Sequence, residues 1–271
     1  MPELPEVETI KHGLKPHLER EIVVDVIVRR ATLRWPIPDN LKDLLFNQCI
    51  LDISRRGKYL LFKFITGTLL IHLGMSGRLQ LVSTCQPLKP HDHVDFIFSS
   101  DRVLRYNDPR RFGAILWTNA PIEDFPLLKS LGVEPLDNEF TADYLKEKTC
   151  NRHVDIKSLI MNSHVVVGVG NIYAAEALFL AKIHPLTPAR HLSCDQHIAL
   201  VDAIQKTLQA AIAAGGTTLK DFVNSQGKPG YFSQQLNVYG CEHLPCVQCG
   251  SILLKIKQAQ RTTVFCQQCQ I

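Results

Sequence analysis

Residues 58–107 read KYLLFKFITGTLLIHLGMSGRLQLVSTCQPLKPHDHVDFIFSSDRVLRYN, and this stretch decides the fold of the first half of the chain. Short β-branched and aromatic runs, KYLLFKFI, TLLIHLG, GRLQLV, HVDFIF and RVLRYN, follow one another, several joined by tight turns such as Thr66-Gly67 and Ser99-Ser100-Asp101. The same pattern extends outward, to EIVVDVIV at 21–28 and GAILW at 113–117. It predicts a mostly antiparallel β-sandwich. Upstream, Val7, Ile10, Leu14 and Leu18 recur at helical spacing, with Pro5 suited to a first turn, so one helix opens the fold.

Beyond residue 121 the strand pattern stops. Pro121, Pro126, Gly132 and Pro135 break it, helical patterning takes over, and a linker is expected at 132–140. Helices are expected around 141–149, 155–161, 172–182 and 195–214, the last capped by Gly215-Gly216. The turn Gly168-Val169-Gly170-Asn171 precedes the third, and the polar segment Asn224–Gln235 reads as a mobile loop. The chain is thus α+β: an N-terminal helix plus antiparallel β-sandwich (1–133), a helical domain (141–224) and a small C-terminal module (237–271).

That module declares itself by cysteine spacing. Cys246-x2-Cys249 and Cys266-x2-Cys269 are 16 residues apart, the pattern of two knuckles gripping one tetrahedral Zn²⁺. Four protein ligands leave no open position, so the ion is structural. Residues 252–257 and 262–265 read as the strands of a hairpin with Gln258–Arg261 at its turn. At about 3.3 Å per residue, some six residues of strand carry Arg261 roughly 20 Å from the metal.

Length and composition bound the rest. With 271 residues, 45% hydrophobic and 21% charged, the chain has material for a core in about two domains and is neither disordered nor fibrous. Val165–Ala181 comes nearest to a membrane span, but it holds Asn171 and Glu176 and is shorter than the roughly 20 apolar residues a bilayer needs. The opening Met1-Pro2-Glu3-Leu4-Pro5-Glu6 lacks the basic and apolar regions of a signal peptide. Nine cysteines, an odd number, argue for a reducing compartment and against an extracellular disulfide scaffold. A cytoplasmic location is expected. Net charge is only +4, but Arg29, Arg30, Arg34, Arg55, Arg56, Lys58, Arg102, Arg105, Arg110 and Arg111 crowd the first half, as a polyanion footprint would.

MPELPEVET at the start, then RRGKYL, HLGMSG, YNDPRRFG, VGVGNIYAAE and the terminal QRTTVFCQQCQ, in this order over nearly the whole chain, resemble the formamidopyrimidine-DNA glycosylases. The resemblance implies a bifunctional DNA glycosylase and abasic-site lyase, acting on damaged double-stranded DNA and removing oxidised purines such as 8-oxoguanine. It implies a helix-two-turn-helix in the helical domain, and a monomer associated with the bacterial nucleoid. Pro2, once Met1 is removed, is implied as the Schiff-base nucleophile; a terminal secondary amine titrates well below lysine and stays nucleophilic near neutral pH. Glu3 is implied as the acid assisting at the sugar, and Lys58 as a proton-transfer and phosphate-binding group. Asn171 and Arg261 are implied, with Lys58, to grip the phosphates flanking the lesion, and His91 and Arg152 to touch the DNA backbone. Met75, Arg110 and Phe112 match the side chains that fill the void left by a flipped nucleotide. Glu6 lies within a turn of the amine, where proton management and stabilisation of the helix dipole stay equally open.

Two other readings compete: an endonuclease VIII type preferring oxidised pyrimidines, and a zinc protein that only binds damaged DNA. Leu4 and the paired Arg110-x-Phe112 favour the purine enzyme, and pure binding would not need Pro2 or Glu3. One position departs from the family pattern. Cys241 and Glu242 follow Val-Tyr-Gly where an arginine is common, which makes Cys241 a competing thiol to be placed.

Overall fold

The computed structural model describes residues 2–217 and 236–271; the loop expected at 224–235 lies outside the described residues. The chain divides into two compact units, the first of residues 1–129 and 214–231, the second of 130–213 and 232–271.

In the first unit, helix α1 (Leu4–Leu18) is followed by β1 (Val23–Val28), a short helix α2 (Leu41–Leu45), and strands β2 (Asp52–Arg56), β3 (Tyr59–Lys63), β4 (Thr68–His72), β5 (Arg78–Ser83), β6 (Asp92–Phe98), β7 (Arg102–Asn107) and β8 (Ala114–Thr118), with the short helix α3 (Pro126–Lys129) after them. The strands form two four-stranded sheets, ordered β1-β6-β7-β5 and β2-β3-β4-β8, and every pairing is antiparallel. One core joins them. Phe96, Phe98, Leu104 and Tyr106 from one sheet meet Leu60, Phe62, Leu69 and Ile71 from the other, and the α1 stripe of Val7, Ile10, Leu14 and Leu18 joins the same cluster. Each of these side chains is nearly water-free, and burial of this order, about 1.5–3 kcal/mol per large apolar side chain, is what drives the sandwich together.

Two loops of this unit are locked by close packing. Gly74 (φ +62°) adopts a left-handed conformation, and a side chain there would collide with the Phe112 carbonyl carbon at 2.3 Å. Gly113 is held differently: an added Cβ would sit 1.7 Å from Tyr106 Oη and 2.6 Å from the His72 carbonyl oxygen.

The second unit contains α4 (Ala142–Thr149), α5 (Ile156–Ile160), α6 (Asn171–Leu180), α7 (Cys194–Ala213) and the hairpin β9 (Leu254–Gln258) with β10 (Arg261–Phe265). Thr141 caps α4 by accepting from the Tyr144 N–H at 3.1 Å, and Asp155 caps α5 by accepting from the Ser158 N–H at 2.7 Å. Apolar α6 is buried along nearly its whole length, packed against α5, α7 and β10. The hairpin turn is tighter than its sequence suggests. Gln258 pairs with Arg261, leaving only Ala259 (φ +43°) and Gln260 (φ +66°) as a two-residue turn of the primed type. Among the described residues no helix is long and apolar enough to cross a membrane.

Replacing Gly113 by alanine is expected to destabilise the protein by about 1–3 kcal/mol, because the methyl group must displace Tyr106 or a main-chain carbonyl. Urea denaturation followed by tryptophan fluorescence measures this; an unchanged midpoint would show that the loop yields freely.

Candidate active site and nucleic-acid interface

The first unit begins with a buried corner. Pro2 and Glu3 are both shielded from solvent, and Glu3 and Glu6 form a reciprocal capping box at the start of α1. The Glu6 carboxylate accepts from the Glu3 N–H at 2.8 Å through one oxygen and from the Thr217 N–H at 2.9 Å through the other. Of the two roles left open for Glu6, this geometry matches the structural one, since both oxygens already hold main chain in place.

Lys58 sits on the two-residue turn between β2 and β3. That turn is tied to α1 by Arg55, whose Nε donates to Glu8 Oε2 at 2.7 Å while Nη1 donates to the Gly57 carbonyl at 2.8 Å. Burial alone would raise the Glu8 pKa, but hydrogen bonds from Lys11 and Arg55 together hold it below the usual carboxylate range. His72, which the motif HLGMSG contains but which sequence reasoning gave no role, stacks at a tilt on Tyr59 with ring centroids 4.7 Å apart. Its Nδ1 accepts from the Gly74 N–H at 3.0 Å. Burial pushes its pKa down to about 4, helped by the positive charges of Lys58 and Arg34. The ring is therefore neutral near pH 7, with Nε2 carrying the proton.

Met75, Arg110 and Phe112 occupy two exposed loop tips, Met75 at 37% and Phe112 at 47% exposure. The Arg110 guanidinium lies over the Phe112 ring, 4.9 Å from its centroid. Both loops are fastened to Asp108, which has no solvent exposure. Its carboxylate accepts from Ser76 Oγ at 2.6 Å, Tyr106 Oη at 3.1 Å and the Gly113 N–H at 2.9 Å. The Arg110 N–H in turn donates to Ser76 Oγ at 3.1 Å. His91, exposed and left-handed at φ +73°, offers its carbonyl to the Asp108 N–H at 3.1 Å, so it flanks the same loop.

In the second unit Asn171 is the first residue of α6. Its Oδ1 accepts from Lys157 Nζ at 2.7 Å and its Nδ2 donates to the Thr262 carbonyl at 3.1 Å, which couples the helix start to the hairpin. Lys157 is itself buried and also donates to Thr263 Oγ1 at 2.6 Å. Asn171, Lys157, Ser158 and Arg261 line one cavity of about 240 Å³. Arg152 lies apart from it, exposed on the turn that follows α4. Sequence reasoning missed Lys157, because a lysine inside the short run IKSLI gives no periodic signal. It also missed Glu176. That buried carboxylate accepts from the N–H groups of Asn237, Val238 and Tyr239 at 2.8–2.9 Å and from Asn237 Nδ2 at 3.0 Å, pinning the approach to the cysteine module onto α6.

The sulfurs of Cys246, Cys249, Cys266 and Cys269 lie within 4.8 Å of one another. Thiolates about 2.3 Å from a tetrahedral zinc are spaced by about 3.8 Å, and the pairs Cys246–Cys269 at 3.9 Å and Cys249–Cys266 at 3.5 Å fit that edge. The residues thus suit one structural zinc ion. Cys241 stands outside this group, its Sγ turned towards the carbonyls of Leu236 and Tyr239. Burial, then the charges of Glu176 and Glu242, push its thiol pKa up.

An antiparallel sandwich with a buried amino-terminal corner and paired exposed loops carrying Met75 and Phe112, in one chain with a helical unit that carries a four-cysteine zinc hairpin, defines a class of zinc-containing DNA-repair glycosylases. Comparison with known proteins agrees along the chain: residues 1–115 match the formamidopyrimidine-DNA glycosylase N-terminal domain, 131–223 its H2TH domain, and 244–271 a zinc finger found in FPG and IleRS. The formamidopyrimidine-DNA glycosylase of Hydrogenovibrio crunogenus is 51% identical over 270 residues, spanning 100% of this chain and 96% of the relative. That of Psychromonas ingrahamii is 52% identical, with 100% of both covered. The crystal structure of Lactococcus lactis Fpg with N7-benzyl-Fapy-dG containing DNA superposes with TM-score 0.92 at 34% identity, covering 99% of each chain. The Thermus thermophilus MutM structure gives 0.90 at 35% identity, covering 99% of this chain and 98% of that one. The chain belongs to the formamidopyrimidine-DNA glycosylase family.

Because four thiolates clamp only the hairpin, removing zinc is expected to abolish duplex binding and leave the first unit folded. Anisotropy on labelled duplex, near-ultraviolet circular dichroism and elemental analysis on one chelated sample test this; tight binding by metal-free protein would show that the zinc-held hairpin is not needed to grip DNA.

Proposed function

We infer that this chain is a base-excision repair enzyme that removes oxidised purines, 8-oxoguanine and formamidopyrimidines, and then cleaves the abasic strand by β,δ-elimination. The observation that carries this reading is the full-length family match in a chain that keeps Pro2-Glu3 at its head and both wedge loops exposed. With Met1 removed, the Pro2 nitrogen attacks C1′ of the damaged nucleotide. The glycosidic C–N bond breaks and the base leaves with a proton. Glu3 delivers a proton to the ring oxygen as the sugar opens, and the resulting iminium of a secondary amine has no N–H to lose, so it serves as an electron sink. Loss of a proton from C2′ then expels the 3′ phosphate, and a second elimination expels the 5′ phosphate. Lys58 carries protons in these steps and binds the lesion phosphate.

Met75, Arg110 and Phe112 fill the space the nucleotide leaves, held at working height by Asp108. Asn171 and Arg261 bind flanking phosphates, with Lys157 fixing the amide of Asn171 so that its orientation is not free. His91 and Arg152 touch the backbone further out. Glu6 shapes the corner by holding the main chain at Glu3 and Thr217. The zinc supplies no chemistry; its four cysteines hold the hairpin that presents Arg261. The assignment of domains follows function: chemistry in 1–133, backbone binding in 141–224 and in 237–271. The protein works as a monomer in the cytoplasm, on the nucleoid, without a membrane.

Borohydride reduction during reaction with an 8-oxoguanine duplex is expected to trap a one-to-one covalent adduct whose attachment maps to Pro2. Release of the base with no adduct would remove Pro2 as nucleophile. Met75→Ala and Phe112→Ala are expected to slow excision from duplex by roughly tenfold, about 1.4 kcal/mol, and to affect strand cleavage at a single-stranded abasic site much less, because no stack is opened there. Equal losses on both substrates would argue against the wedge.

A further inference from the structure

In the second unit, residues 152–155 and 187–190 run side by side. The Arg190 N–H donates to the Arg152 carbonyl at 3.2 Å, the Ala189 N–H to the Val154 carbonyl at 2.9 Å, and Asp155 bridges Pro188 in antiparallel sense. This pairing brings together the segments that carry four exposed basic or imidazole residues, Arg152 and His153 on one and Arg190 and His191 on the other.

The Arg190 guanidinium is oriented there by two rings. Nη1 donates to His153 Nε2 at 2.8 Å, and Nε donates to His191 Nε2 at 3.1 Å. A guanidinium has only donors, so in both contacts the ring Nε2 is the acceptor. Among the described residues none of the four is paired with a carboxylate. The acid on the same segment, Asp155, is committed to capping α5, with Oδ1 on the Ser158 N–H at 2.7 Å and Oδ2 on Ser158 Oγ at 3.0 Å.

The choice of partner matters. A carboxylate would fix the side chain and cancel its charge, as Asp95 does for Arg105 at 2.8 and 2.9 Å in the first unit. Imidazole nitrogens orient it without bringing a negative charge, and Nη2 is left open to an oxyanion. An extended, fully charged, oriented fork next to Arg152 suits a phosphodiester better than a point carboxylate ligand, because planar donors match phosphate oxygens in pairs.

We propose that Arg190, oriented by His153 and His191, contacts a phosphodiester of duplex DNA adjacent to the one met by Arg152, and so lengthens the backbone footprint of the second unit. The proposal rests on the reading of duplex DNA as substrate and of Arg152 as a backbone contact. His153 and His191 are positioning residues; they hold the cation and need not touch the DNA.

The test is equilibrium binding of an undamaged labelled duplex across a salt series, for the parent protein, Arg190→Ala, Arg190→Lys and the double variant His153→Gln/His191→Gln, with zinc content and circular dichroism measured on each. For Arg190→Ala the slope of log affinity against log salt is expected to fall in magnitude by about 0.9, so that the parent's advantage shrinks about 3.5-fold over a fourfold rise in salt. Arg190→Lys should keep the parent slope with weaker binding, since charge is retained and orientation lost. The glutamine pair should behave like Arg190→Lys. A steep parent slope that Arg190→Ala reproduces would overturn the proposal while leaving the function intact. A parent with no salt-dependent duplex binding would overturn the functional reading beneath it.

Discussion

Asp108 is a carboxylate with no access to water, and the two loops that carry Met75, Arg110 and Phe112 take their shape from it. Removing such a group from solvent costs several kcal/mol unless its oxygens are fully engaged. Here they are engaged by a hydroxyl from the Met75 loop, the hydroxyl of core residue Tyr106 and a main-chain N–H from the Phe112 loop. The penalty for losing any one partner is what keeps both loops in register with the sandwich. Through these bonds Asp108 fixes where the loops present Met75 and Phe112.

The second unit repeats the device with different chemistry. Glu176 gathers successive main-chain N–H groups of 237–239 onto α6, and the Lys157 ammonium reaches Asn171 on that helix and Thr263 on the hairpin. Thr263 Oγ1 donates in turn to Gln258 Oε1 at 3.0 Å, and Gln258 Nε2 donates to the Pro185 carbonyl at 3.1 Å. The hairpin is therefore not merely hung from its zinc. It is braced along its length by a chain of polar contacts, each link of which would be left unsatisfied if its neighbour moved.

Periodicity and spacing revealed the sandwich, the opening helix, the helical second half and the zinc ligands, because each rests on a repeating or strongly constrained pattern. Strand β2 went unseen: Asp52–Arg56 reads DISRR, and only Ile53 of its side chains is buried, so the apolar alternation that marks a strand is missing. The hairpin turn was placed too broadly because Ala259-Gln260 lacks the Asn-Gly or Gly-Gly signature of a primed turn. The motifs supplied the candidate site residues through family resemblance. They did not supply Asp108, Glu176, Lys157 or His72 as working parts, since a buried polar residue acquires its meaning only from partners distant in sequence. Glu6 is legible in sequence only as an acid in the first helical turn, with two roles open; its hold on the Glu3 and Thr217 N–H groups depends on a partner 211 residues away.

The turn at the hairpin tip carries a further consequence. Two consecutive side-chain-bearing residues in the left-handed region, Ala259 and Gln260, cost about 1–2 kcal/mol each relative to ordinary backbone. Such conformations persist only where the surroundings over-determine them, and the zinc clamp and the Gln258–Thr263 bond supply that determination. Conformational freedom next to Arg261 is thus surrendered when the chain folds. Arg261 therefore stands at the tip with its local entropy already spent, so that any ligand it meets there gains from preorganisation rather than paying for order.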